Sequence, residues 1–122
     1  PTDRKLSLSE ALVDRAALPD EVQLDSVASG VDKIELGTRD LPPEAFAQPL
    51  MERLLEHYRG QYQVILVNGP TARHLPDVQA LATLCDGTLF VAGGKDKISD
   101  SARRTIESLV QSNMPVLGIV EV

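Results

Sequence analysis

The sequence predicts a single α/β domain in three layers, a mainly parallel sheet of about four strands with helices on both faces. Three observations predict it. Val64-Ile65-Leu66-Val67, Thr88-Leu89-Phe90-Val91-Ala92 and Val116-Leu117-Gly118-Ile119-Val120 are short, almost wholly apolar runs. Runs of this kind read as strands buried on both faces, as parallel sheets require. The first stops at Asn68-Gly69-Pro70 and the second at Gly93-Gly94, residue types that close strands and open turns. Between the runs, apolar residues recur at helical spacing, so each connection is a helical crossover, right-handed in a parallel sheet.

Taken in order, Ser7-Leu8-Ser9-Glu10 fits the capping box, in which serine and glutamate side chains satisfy N–H groups at a helix start. Leu8, Leu12 and Val13 extend that helix to about Ala17, and Pro19 stops it. Val22–Gly30 reads as irregular, with a short strand at Val22–Leu24. Val31–Leu36 alternates apolar and polar residues up to Gly37, the pattern of an edge strand with one wetter face. Phe46, Leu50, Met51, Leu54, Leu55 and Tyr58 share one helical face, with Pro49 as the expected start of regular helix and Gly60 as its end. The 61–70 run is the expected central strand. Pro76-Asp77 leads a helix carrying Val78, Leu81, Ala82 and Cys85, and Asp86-Gly87 turns into the 88–92 strand. Ser99 or Asp100 caps the last helix, with Ile106, Leu109 and Val110, before Met114-Pro115 turns into the final strand.

Composition narrows the function classes. With 122 residues the chain is one domain by size, and 3% aromatics without tryptophan leave an aliphatic core of Leu, Val, Ile and Ala. A net charge of −6 and a pI near 4.8 weigh against a nucleic-acid or anionic-membrane surface, both of which need clustered Lys and Arg. Cys85 is the single cysteine; it excludes an internal disulfide and a cysteine-based metal site, and suits a reducing compartment. No apolar run approaches the ~20 residues that span a bilayer, and no signal peptide is read. The start at Pro1 without Met is read as that of an excised domain or a processed chain.

The colinear stretches Leu8-Ser9-Glu10-Ala11-Leu12, Leu36-Gly37 with Leu41-Pro42-Pro43, Tyr62–Pro70, Asp77, Cys85–Val91 and Pro115–Val120 together resemble the nucleotide-binding domain of the bacterial tyrosine kinases (BY-kinases). These belong to the MinD/ParA-like branch of P-loop proteins and act with polysaccharide co-polymerases in capsule and exopolysaccharide export. The resemblance implies a P-loop-NTPase-like fold, here truncated. It also implies a nucleotide site at the carboxyl edge of the sheet, at Asn68, Gly69, Pro70 and Asp77.

Departures from the family pattern are concentrated at its chemistry. No G-x-x-x-x-G-K-[S/T] occurs, and the strand with the family's magnesium and attack aspartates would precede Pro1. Asn68 stands where the family has its second metal-site Asp; an amide accepts a hydrogen bond but lacks the charge that holds magnesium. Thr71 replaces a family proline, and the tyrosine-rich tail is missing, leaving Tyr58 and Tyr62 at packing positions. Phosphoryl transfer depends on positioning phosphates and neutralising their charge, and those groups are not visible. The chain is either the later part of a longer kinase or a degenerate version of one. The expectation favours the degenerate module, because removing the P-loop strand exposes an apolar sheet edge.

Other residues are weighed beside plainer roles. Gly93-Gly94-Lys95, leading to a helix start at Ser99, can bind an anion through backbone N–H groups and Lys97, or be an ordinary glycine turn. Asp77 can orient a ligand or only favour the helix dipole. Arg73-His74 can meet a phosphate or a partner, or be solvated. His57 and His74 have no metal-site spacing, Cys85 reads as core, and no G-x-S-x-G elbow supports serine catalysis.

The expectation is therefore a non-catalytic, kinase-like module of exopolysaccharide or capsule biosynthesis or export, working through contacts with a polysaccharide co-polymerase or another export protein, with homo-oligomers allowed. It needs no cofactor and no metal, binds no nucleic acid and inserts in no membrane. Its expected place is cytoplasmic, with membrane association through the parent chain or a partner. One alternative is the later part of an active ATP-dependent tyrosine kinase, with ATP and magnesium held by upstream residues. Another is an unrelated α/β domain that binds a small ligand near Asn68–Asp77.

Overall fold

A computed structural model describes residues 4–72, 74–93 and 99–122. The chain is mixed α/β with two small sheets, one antiparallel and one parallel. It divides into two compact units, residues 1–65 and 66–122.

In the first unit, helix α1 (Leu8–Val13) starts with the capping box that the sequence predicts. The Glu10 N–H donates to Ser7 Oγ at 3.3 Å, and the Ser7 N–H donates to Glu10 Oε1 at 3.0 Å. The next two orphan N–H groups, of Leu8 and Ser9, donate to the carbonyls of Glu35 and Leu36 at 3.0 and 2.7 Å. That docking explains why the expected 31–36 strand is cut short. Two of its carbonyls are taken up by a helix end.

Helix α1 also stops earlier than the expected Ala17. The Asp14 carboxylate accepts from the Ala16 N–H at 3.0 Å, and this local bond competes with helix continuation. A 3-10 turn at Pro19–Glu21 follows, and Leu6 pairs in parallel with Val22 through bonds of 2.8 Å on either side. The expected Val22–Leu24 strand is reduced to that single bridge.

Strands β1 (Asp25–Ala28) and β2 (Val31–Lys33) form an antiparallel hairpin. It closes through Ser29-Gly30, with Gly30 at φ 77°, a conformation that costs glycine little. This differs from the expected irregular segment, and from the expectation that 31–36 joins a parallel sheet. The signal for the hairpin is the Ser-Gly pair between two short β-prone runs. Helix α2 (Pro49–Arg59) begins at Pro49 and ends at Gly60, as expected. Its N-cap Gln48 donates from Nε2 to the Leu12 carbonyl of α1 at 3.0 Å. Among the described residues, Ala11, Leu12, Ala17, Val22, Ala45, Leu50, Met51 and Leu54 are the buried apolar residues of this unit. Tyr62 donates its hydroxyl to the Asp32 carboxylate, tying the segment after α2 to the hairpin. Asp32 thereby holds the Tyr62 phenol protonated above its ordinary range.

The second unit contains α3 (Leu75–Ala82), β3 (Thr88–Ala92), α4 (Asp100–Gln111) and β4 (Val116–Glu121). Strands β3 and β4 pair in parallel with α4 as their crossover, as the sequence predicts. Val78 and Ala82 of α3 and Leu109 of α4 form the core, with Phe90, Met114 and Val116 packed on it. Ser99 caps α4 by accepting the Ala102 N–H at 3.1 Å. Asn113, at φ 60°, takes the left-handed conformation just beyond the helix.

The expected burial of the strands on both faces is not found. Leu89 is 51% and Val91 67% exposed, because both helices of this unit supply core to one side of the sheet. The 64–67 run differs most. It forms no strand, and Leu66 is 89% exposed. A strand is made by its neighbours' backbone groups, and among the described residues none pairs with these.

Acid should weaken the first unit. The Ser7 N–H and hydroxyl hold the Glu10 carboxyl below its ordinary range, and the Arg4 hydrogen bond does so for Asp14. Carboxyls depressed on folding stabilise the fold above their unfolded values, and that contribution is lost as pH falls through the folded ones. Urea midpoints for this unit should hold steady from neutral pH down to about pH 5, then fall by about pH 3. Glu10→Gln should lower the midpoint at neutral pH and flatten the acid limb; an unchanged acid limb would remove Glu10 from the account.

Candidate functional site

Asn68, Gly69, Pro70 and Asp77 all belong to the second unit. Asn68 and Gly69 are exposed in the unpaired stretch, and Pro70 is half-buried where the chain turns toward α3. A Cβ on Gly69 would lie 3.6 Å from Leu81 Cδ1, an ordinary contact, so this backbone passes over α3. The turn itself is closed by the His74 N–H donating to the Thr71 carbonyl at 3.0 Å.

Helix α3 starts without a side-chain cap; His74 is its N-cap residue, Pro76 lies in the first turn, and the half-buried Asp77 follows at the third position. A carboxylate there is favoured by the helix dipole without any ligand. Among the described residues, no hydrogen bond or ion pair joins Asn68 to Asp77. They are held on one segment, with neither side chain locked to the other.

What fixes this segment is a residue that the sequence reading does not single out. Thr105 of α4 is 3% exposed, and its Oγ1 donates to the Ala72 carbonyl at 2.6 Å. One turn on, Gln79 Nε2 donates to Ser108 Oγ at 2.9 Å and ties α3 itself to α4. The available signal is a hydroxyl at position 105, four residues before Leu109 on the apolar stripe of α4. A buried threonine needs an acceptor, and a neighbouring loop carbonyl is the usual one. Thr105→Val keeps the shape and leaves Ala72 O short of a donor, at a cost of about 1–2 kcal/mol. Amide exchange at Thr71, Ala72 and His74 should speed up in Thr105→Val and stay slow in Thr105→Ser. Equal exchange in all three proteins would show that the bond does not hold the loop.

The second candidate is only partly described. Gly93 is exposed after β3, whereas Gly94, Lys95 and Lys97 lie outside the described residues, as does Arg73. Ser99 caps α4 with its own hydroxyl. Cys85 falls beyond the end of α3 and is half-buried there. His57 stacks edge-on against Tyr58, with ring centroids 4.7 Å apart.

Two open depressions lie in the first unit, which holds none of the residues of the expected nucleotide site. One, of about 320 Å³, is lined by Lys5, Asp20, Val22, Leu24, His57 and Tyr58, among others. The other, of about 440 Å³, runs along Val31, Asp32 and Tyr62. Partial burial, then the nearby Asp20 and Asp32 charges, push the Tyr58 phenol up. Among the described residues, no group of three or more His, Cys, Asp or Glu is placed to hold a metal ion. No helix among them is long and apolar enough to cross a membrane.

Comparison with known proteins gives a relationship along nearly the whole chain. Proteins named "Putative tyrosine-protein kinase EpsB", from Ralstonia solanacearum and from Ralstonia nicotianae, are each 29% identical over 119 residues, 97% of this chain. The aligned part is 16% of their length, so the chain spans about one sixth of these relatives. No protein-family model matches the chain, and no solved structure matches it significantly.

Proposed function

We propose that this chain is a tyrosine-kinase-like module of exopolysaccharide or capsule biosynthesis or export, and that on its own it transfers no phosphoryl group. The observation that carries the reading is Asn68. Along a chain similar from end to end to proteins named as tyrosine kinases, an amide occupies the position where the family resemblance expects a metal-binding carboxylate. A neutral amide leaves magnesium and the phosphate charge without a counter-charge at the step where charge neutralisation is the chemistry. The module then works through protein contacts, with a polysaccharide co-polymerase or another export protein as partner, in a P-loop-like fold on the cytoplasmic side.

Calorimetric titration of ATP and ADP with magnesium into the 122-residue chain tests this directly. The expected result is no heat at high micromolar nucleotide. Saturable one-to-one binding that depends on magnesium, or measurable ATP hydrolysis, would overturn it.

A second reading is favoured by the 64–67 run. Among the described residues, four exposed apolar residues without a strand beside them, and a parallel sheet with core on one side only, suit a kinase domain completed by further strands. In that reading the phosphate-binding loop and its lysine come from residues outside these 122. Extending the chain upstream within its reading frame and repeating the titration separates the two. Binding that appears only in the longer protein supports the second reading, and absence of binding in both supports the first.

A further inference from the structure

We draw no further inference here: the strongest candidate, the exposed apolar patch on β3 and β4 formed by Leu89, Val91, Leu117 and Val120, carries nothing because no observation in the structure shows what covers it.

Discussion

Gly37→Ala should cost the first unit about 3 kcal/mol and release the N-terminus of α1, the sum of a backbone cost and an overpacking cost. Gly37 sits at φ +82°, where a side chain costs about 1–2 kcal/mol. A Cβ there would also press on Ser7 Oγ, and would lie 2.6 Å from Ser7 Cβ and 2.9 Å from Ser9 Oγ. Overpacking of this kind adds about 1–3 kcal/mol. The atoms in the way cannot swing aside without loss. Ser7 caps α1, and the fully buried Ser9 accepts the Arg39 N–H at 3.2 Å. Gly30 supplies the control. It has φ +77°, and a Cβ added there would meet nothing within 4 Å. Gly30→Ala should therefore show only the backbone cost, roughly 1 kcal/mol. Urea unfolding of the two variants, with amide exchange at Leu8 and Ser9, reads the difference. Equal losses would mean that the contact with Ser7 and Ser9 contributes nothing.

Leu109→Ala should cost the second unit about 3 kcal/mol, within the range for emptying a buried leucine site. Leu109 is fully buried between Val78, Ala82, Phe90, Met114 and Val116. In so small a core the lost transfer energy and the cavity fall on the contacts joining both helices to the sheet. The adjacent Val110 is 57% exposed, so Val110→Ala should stay within about 0.5 kcal/mol. The pair isolates burial from helix propensity, since both substitutions place alanine on the same helix one residue apart. Exchange protection across β3 and β4 should collapse in Leu109→Ala and persist in Val110→Ala. Matching protection would show that α4 is not held through Leu109.

Local chemistry is legible wherever the sequence carries its own partner. Ser7 with Glu10 and Ser99 with Ala102 mark helix starts within a few residues, because a cap is a bond between near neighbours, and Pro49 and Gly60 mark the two ends of α2 through their own backbone preferences. The β3–α4–β4 unit follows from two apolar runs and the amphipathic stretch between them. The end of α1 at Asp14 and the Ser29-Gly30 hairpin are written in equally local terms, in residues whose composition suggests helix and loop. At the candidate site the identities of Asn68 and Asp77 are plain, but Thr105 as the anchor of their loop is not. Its bond to Ala72 crosses 33 positions of sequence.

By itself, then, the sequence determined the mixed α/β class, the starts of α1, α2 and α4 and the end of α2, the parallel crossover, and the amide at position 68. Each rests on side chains acting within a turn or two of their own backbone. Tertiary structure alone decided which apolar runs become strands and which faces are buried. The Val64–Val67 run has the composition of a central strand and forms none, because a strand exists only through backbone groups of another segment. Strand β3 has the same composition and forms because β4 lies beside it, yet Val91 stays 67% exposed. Burial belongs to the pair of surfaces in contact, and one sequence segment encodes only its own half.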